Sequence, residues 1–66
     1  MMTDEQQKAL DHIKEEGWTT PLKLGMALGH GYYLSSGRGY KILAALVLMG
    51  LVKKEGYAKQ VKYSLI

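Results

Sequence analysis

The chain contains no cysteine, and its hydrophobic runs are short. Without thiols it can form neither disulfide bonds nor the thiolate metal sites of zinc fingers and zinc ribbons. The longest apolar run, residues 42–52, is much shorter than the roughly 20 residues that a membrane-spanning helix requires. The first residues are acidic and provide no basic signal-peptide region. We therefore expect a soluble, untargeted protein of the cytoplasm, where reducing conditions suit a chain without cysteine.

At 66 residues, the chain also lacks the length for more than one domain. A chain of this size buries only about 60% of the surface that its unfolded form exposes, so its core must be small. Residues 1–66 are predicted to form a single domain without an enzyme cleft, because no nucleophile, base and stabiliser can be assembled from them. His12 and His30 lie far apart and have no ligand partners at metal-binding spacing, so no metal or other cofactor is predicted.

Carboxylates are scarce beyond residue 16. Residues 1–16 hold two lysines and five carboxylates, a net charge of −3, whereas the remaining fifty residues hold seven cations and Glu55 alone, a net charge of +6. A polyanion-binding surface needs such polarity, because each phosphate that a cation neutralises releases condensed counterions. A lysine-rich surface that only keeps the protein in solution explains the same composition, and charge alone does not separate the two interpretations.

The first half of the chain carries clear helix signals. Thr3 and Gln6 match a capping box, and apolar residues then recur at helical spacing, which predicts helix 1 over residues 4–16 with Gly17 as its stop. Trp18 and Thr19 are predicted to form a short extended piece that anchors the domain through the indole.

A second helix is predicted over residues 21–28, with Thr20 as N-cap, Pro21 in the first helical position and Gly29 as the stop. Gly25 inside it indicates close helix packing. Residues 30–34 have no clean period and are predicted to form a connecting loop.

Helix 3 is predicted over residues 37–49, with Ser35 or Ser36 as its cap. A helical wheel separates two faces. The predicted inner face holds Gly39, Ile42, Leu43, Leu46, Val47 and Met49. The predicted outer face holds Gly37, Arg38, Lys41, Ala44, Ala45 and Leu48. After Gly50, apolar residues alternate with polar ones around a turn at residues 55–59, which predicts a half-buried hairpin.

Two motifs carry a resemblance to a known family. Residues 24–29, Leu-Gly-Met-Ala-Leu-Gly, look like the pattern Leu-Ala-x-x-Leu-Gly, and Leu43-x-x-Leu46-x-x-x-Gly50-Leu51-Val52 looks like a third helix that leads into a wing. With the element order, these motifs resemble the winged helix-turn-helix domains of prokaryotic and viral transcription regulators. The resemblance implies an α+β fold, a small winged helix of three helices followed by a C-terminal β-hairpin wing. Helix 3 would enter the major groove of DNA.

The chain departs from the family pattern in two places. Between Gly29 and the core of helix 3 it is about four residues longer than the usual turn. Gly37-Arg38-Gly39-Tyr40 stands where the family often has serine and threonine residues that contact bases. Glycines near a helix start cost roughly 1 kcal/mol each relative to alanine, but they also permit a close approach of the backbone to a phosphate or a partner.

Candidate DNA contacts follow from side-chain chemistry. Arg38 can donate two hydrogen bonds to guanine, and the N-terminus of helix 3 can bind a phosphate. The full predicted set is Ser35, Ser36, Arg38, Tyr40, Lys41, Lys53, Lys54, Lys59 and Lys62. Structural alternatives exist for these residues: the serines can be plain caps, Arg38 a solvated charge at a helix start, and Tyr40 part of a half-buried wall. The hairpin lysines can protect exposed strand edges from aggregation.

The sequence therefore predicts a DNA-binding transcriptional regulator that acts as a homodimer on double-stranded DNA. Regulators of this type commonly pair to contact two half-sites. The alternative is a winged helix that recognises a protein partner through the apolar outer residues of helix 3. These residues are Ala44, Ala45 and Leu48.

Overall fold

In a computed structural model, residues 2–56 and 61–66 are described, and they form three helices followed by a β-hairpin. The helices are α1 (Asp4–Glu16), α2 (Pro21–Ala27) and α3 (Tyr32–Leu48), and the strands are β1 (Val52–Glu55) and β2 (Lys62–Leu65). This arrangement is that of a small α+β winged helix, and it confirms the predicted fold class. Tyr57 and Lys59, in the predicted turn, lie outside the described residues.

α1 begins and ends where predicted, because both of its ends are stabilised locally. The Thr3 hydroxyl accepts a hydrogen bond from the Gln6 backbone N–H at 3.1 Å, and the Gln6 side chain accepts one from the Thr3 N–H at 3.0 Å. Gly17, at φ +88°, ends the helix and donates its N–H to the Ile13 carbonyl. The predicted capping box and glycine stop are confirmed.

The segment between α1 and α2 joins the sheet through Thr19. Its N–H and carbonyl pair with those of Tyr63, each at 2.8 Å, which adds one antiparallel bridge beside the hairpin. The Thr19 side chain is fully buried, and its hydroxyl lies 3.0 Å from Nε2 of His12. The prediction that Trp18 is the anchor is wrong: neighbouring residues of an extended segment point to opposite sides, so Thr19 is buried and Trp18 is 38% exposed.

α2 begins as predicted and ends at Ala27, one residue early. The Thr20 hydroxyl caps its N-terminus and accepts the Lys23 N–H at 3.2 Å. Leu28 is the C-cap, and Gly29 follows at φ +91°, a left-handed conformation that favours glycine.

α3 begins at Tyr32, five residues earlier than predicted. Its N-cap is Gly31, which makes no side-chain cap hydrogen bond. The predicted loop before the helix is therefore wrong, and so is the prediction that Ser35 or Ser36 caps it. Because α3 starts early, the turn after α2 has four residues and contains no insertion, as in an ordinary helix-turn-helix.

Tertiary packing explains the early start of α3. Ser35 is fully buried, and its hydroxyl donates a hydrogen bond to the Gly31 carbonyl at 2.8 Å. Gly25 of α2 lies against it, and a Cβ at this glycine would come within 2.5 Å of the Ser35 Cα. Gly39 lies equally close to Pro21, whose carbonyl carbon would be 2.8 Å from an added Cβ. The two helix backbones are therefore in contact, which confirms the predicted role of Gly25.

Buried side chains from the three helices and both strands form the core. They are Ala9, Leu10, Ile13, Leu24, Leu43, Leu46, Val52 and Tyr63. From the predicted inner face of α3, Leu43 and Leu46 are fully buried. Val47 and Met49 were predicted on the same face but are exposed, because the contact with α2 limits the inner face to the arc around Gly39.

The register of the hairpin decides which way its lysines face. Val52 pairs with Leu65 and Lys54 with Tyr63, and directly opposed residues of an antiparallel pair point to the same side of the sheet. Val52 and Tyr63 are buried against the helices, so Lys54 lies on that side as well. Lys53 lies on the opposite side.

Candidate nucleic-acid interface

A surface groove lies between α3 and the hairpin. Its larger recess, of about 580 Å³, is lined by Thr20, Pro21, Leu22, Ser36, Tyr40, Lys54, Val61 and Tyr63. An adjoining recess of about 320 Å³ is lined by Tyr40, Ala44, Val47, Leu48, Lys54 and Tyr63. Because the two recesses share Tyr40, Lys54 and Tyr63, they form one continuous depression, which we call the α3–hairpin groove.

Helix and strand periodicity together bring three of the predicted DNA contacts into this groove. Ser36 and Tyr40 are four residues apart on α3 and therefore project from the same flank on successive turns. Lys54 reaches the groove from β1 because its register places it opposite Tyr63. A serine hydroxyl, a tyrosine and an ammonium group thus line one depression, although they lie far apart in sequence.

In the described part of the chain, the charge of the α3–hairpin groove comes from one lysine. Of the described residues that line it, Lys54 is the only charged one, and no described carboxylate lies within ion-pair distance of its ammonium group. Tyr63 forms one wall of the groove. Burial raises the pKa of its phenol above the usual 10.0, and the neighbouring Tyr40 adds a smaller effect in the same direction, so the phenol stays neutral. The groove can therefore accept an anion at Lys54, with hydroxyl groups beside it as hydrogen-bond donors.

The two cations of α3 lie outside the groove. Arg38 and Lys41 are both exposed, and α3 contains no aspartate or glutamate. Since successive helical residues are about 100° apart, Arg38 projects from nearly the opposite flank to Tyr40, and Lys41 faces solvent between them. The outer surface of α3 is therefore positive at Arg38 and Lys41, which project about 60° apart around the helix.

The lysines of the hairpin face in different directions. Lys53 is exposed and pairs with Glu55, Nζ to Oε1 3.1 Å. Lys62 is exposed as well, and its Nζ lies 4.6 Å from the centroid of the Trp18 ring. Unlike Lys54, neither of these lysines lines the groove.

The predicted contact of Ser35 with DNA has to be corrected. Ser35 has no exposed surface, and its hydroxyl is within hydrogen-bond distance of two backbone carbonyls, those of Gly31 and His30. It faces α2, and its neighbour Ser36 faces the groove, because adjacent helical residues project about 100° apart.

Sequence reasoning missed Lys23. Its Nζ lies 4.5 Å from the centroid of the Trp18 ring, which also contacts Lys62. These three residues come from separate segments, and we call them the Trp18 cluster. The antiparallel bridge between Thr19 and Tyr63 brings them together, since it places Trp18 opposite Ser64 and diagonally beside Lys62 on the same face of the sheet. The alternating side-chain directions along β2 would have predicted that Lys62 lies near Trp18 only if the bridge between Thr19 and Tyr63 had been known.

One end of α3 presents an apolar surface. Of the three outer residues predicted as a protein contact, Ala44 and Ala45 are half-buried, whereas Leu48 is 89% exposed. Met49 and Leu51 follow it and are also exposed. The C-terminal end of α3 is thus apolar, whereas its N-terminal half is cationic.

The histidines make structural contacts. His12 bonds to Thr19, and Nε2 of His30 lies 3.0 Å from the Glu5 carboxylate, which links α1 to the turn before α3. Among residues 2–56 and 61–66, no three side chains of the metal-binding types come together. In the same residues, no helix has both the length and the apolar character needed to cross a membrane.

In comparisons with known proteins, no family model, no curated protein and no solved structure matches the chain. What the groove and the surface of α3 do must therefore be inferred from their own residues.

Proposed function

We propose that this protein binds double-stranded DNA as a winged-helix transcriptional regulator. α3 enters the major groove, and the hairpin follows the phosphate backbone. The observation that carries the proposal is the α3–hairpin groove, where Ser36 and Tyr40 of α3 face Lys54 of the hairpin without a described carboxylate nearby. A cytoplasmic location belongs to the same proposal.

The dimensions suit this mode of binding. A helix with its side chains is about 10–12 Å wide, and the major groove is about 12 Å wide. With α3 in the major groove, one DNA strand passes between the helix and the hairpin, where Lys54 neutralises a phosphate. The hydroxyls of Ser36 and Tyr40 donate hydrogen bonds to backbone oxygens, which position the protein without regard to base sequence.

Residues on the solvent-facing side of α3 distinguish one DNA base sequence from another. Arg38 can donate two hydrogen bonds to guanine O6 and N7, and such a pair contributes about 1–3 kcal/mol of discrimination against the wrong base. Lys41, one turn of the helix further on, contacts a phosphate or a base edge.

Salt dependence tests the proposal. If about five cations each neutralise one phosphate, the logarithm of the affinity falls with the logarithm of salt concentration with a slope of about −4 to −5. We would measure it by fluorescence anisotropy on a random duplex across a salt series. A flat response contradicts DNA binding.

Paired substitutions locate the contact. Arg38→Ala with Lys41→Ala is expected to weaken binding by at least about tenfold, since it removes a base contact and a cation. The matched control, Lys8→Ala with Lys14→Ala, removes the same charge from exposed positions of α1 and should bind nearly as the wild type does. Equal losses in the two variants would show that only net charge matters.

A second function, recognition of a protein, is favoured by the exposure of Leu48 at the apolar end of α3. A leucine that is 89% exposed, next to exposed Met49 and Leu51, is the kind of patch that marks an association surface. We propose that a second copy of the chain covers it, so that the regulator is a homodimer. Leu48→Asp should then yield a monomer by sedimentation, and a wild type that is monomeric at all concentrations excludes this use of the surface.

A further inference from the structure

The Trp18 cluster is a positive feature that lies outside the α3–hairpin groove. Trp18 is the only tryptophan of the chain, and Lys23 and Lys62 place their ammonium groups 4.5 and 4.6 Å from its ring centroid. The sum of these distances, 9.1 Å, is the greatest separation that the two Nζ atoms can have. Two like charges are therefore held close together at the surface.

The indole stabilises each ammonium group, because the face of its π-system is negative. It cannot remove the repulsion between the two, and no described carboxylate lies within ion-pair distance of either lysine. Lys53 is different, since Glu55 pairs with it. An arrangement that concentrates positive charge without neutralising it favours an anionic partner.

The cluster borders the α3–hairpin groove. Leu22 and Val61 line the groove, and each is the chain neighbour of a cluster lysine. Strand alternation turns Lys62 and Trp18 to the face opposite Tyr63, so the cluster lies around the edge of the sheet from the groove. Thr20, which also lines it, lies two residues from Trp18. A polyanionic strand that leaves the groove at this end and passes around the edge of the sheet therefore meets the cluster.

We infer that the Trp18 cluster binds the phosphodiester backbone of the duplex where this backbone passes around the edge of the sheet from the α3–hairpin groove. This inference rests on the proposed function and deepens it, because it adds Lys23 and Trp18 to the interface. The lysines supply sequence-independent phosphate contacts, and the indole holds their ammonium groups in place.

Lys23→Gln with Lys62→Gln tests the inference by its salt dependence. Loss of two phosphate contacts should make the slope of log affinity against log salt less steep by about 1.8, by the same amount for every duplex sequence. Lys8→Gln with Lys14→Gln is the control for net charge and should leave the slope unchanged.

The outcomes separate the two proposals. If the wild type does not bind duplex DNA, the proposed function is wrong, and the inference with it. If the wild type binds and the Lys23→Gln/Lys62→Gln variant keeps the wild-type slope, only the inference is wrong. Circular dichroism of each variant checks that the fold is retained.

Tryptophan fluorescence provides a direct readout, since Trp18 is the sole source of indole emission and is exposed. Addition of duplex DNA should change this emission with the same midpoint as the anisotropy titration. Inorganic phosphate at the same phosphate concentration should leave it unchanged. An equal response to inorganic phosphate would indicate a site for small free anions, and no response to bound DNA would exclude the cluster from the interface.

Discussion

Gly25→Ala is expected to destabilise the fold by about 2 kcal/mol or more, because α2 and α3 are in contact at this residue. An added Cβ would come within 2.5 Å of the Ser35 Cα and 2.6 Å of its carbonyl carbon. Both are backbone atoms of a helix, so no change of rotamer can relieve the overlap. Overpacking of a core costs about 1–3 kcal/mol and occasionally more, and the better helix propensity of alanine returns only about 1 kcal/mol.

This loss is large for so small a protein. At roughly 0.05–0.15 kcal/mol per residue, a 66-residue domain has a total stability of about 3–10 kcal/mol. Gly39→Ala should have a similar effect, since its Cβ would come within 2.8 Å of the Pro21 carbonyl carbon. Either substitution forces the helices apart and opens the core beneath them.

Gly37 offers a matched control on α3. A Cβ there would meet no atom within 4 Å, so Gly37→Ala adds helix propensity without a clash. We expect it to stabilise the protein by about 0.5–1 kcal/mol, which raises Tm by several degrees, at about 4–8 °C per kcal/mol for a domain of this size.

Urea denaturation followed by far-ultraviolet circular dichroism measures all three variants. With an m-value of about 1 kcal/mol/M, Gly25→Ala should lower the midpoint by about 2 M or leave the chain unfolded in water. A Gly25→Ala variant within about 0.5 kcal/mol of the wild type would refute the close contact between the helices. So would a Gly37→Ala variant that is as unstable as Gly25→Ala.

Three further predictions concern stability. Ser35→Ala should cost about 1–2 kcal/mol in the same urea assay, because it removes a buried hydroxyl that bonds to the Gly31 carbonyl, and an unchanged midpoint would contradict that role. Thr20→Ala should cost about 1 kcal/mol through loss of the α2 cap, whereas Thr20→Asp should retain most of the stability; equal losses would mean that the cap contributes nothing. Because burial raises the pKa of Tyr63 above 10.0, the unfolded chain releases this phenol proton at lower pH than the folded protein does. The stability that Tyr63 contributes is therefore complete below about pH 10 and is lost as pH rises through the folded-state pKa. Urea titrations at pH 8 to 11 should show the wild type losing stability faster than Tyr63→Phe, by at most about 1.4 kcal/mol per pH unit, and parallel losses would contradict the assignment.

Local chemistry was sufficient to predict α1 and the start of α2, and it placed the end of α3 within one residue. The bonds that define these boundaries join residues three or four positions apart, as in the Thr3 and Gln6 capping box, or depend on the conformation of one glycine. The order of three helices and a hairpin followed from the same signals, and so did the exposure of Arg38, Lys41 and Leu48.

The start of α3 was not predictable in this way. Its first turn has a glycine N-cap without a side-chain hydrogen bond, and the residues after it carry no helical period. That turn is helical because Ser35 packs against Gly25, a contact between residues ten positions apart on two different helices.

The sequence by itself determined which residues carry charge, where most helices begin or end, and that the net positive charge lies beyond residue 16. Tertiary structure decided how those charges are grouped: Lys54 in the groove, Lys53 on Glu55, and Lys62 with Lys23 at Trp18. The physical reason is that the direction of a strand side chain depends on register and on the bridge from Thr19 to Tyr63. Both are set by the burial of residues that are distant in sequence.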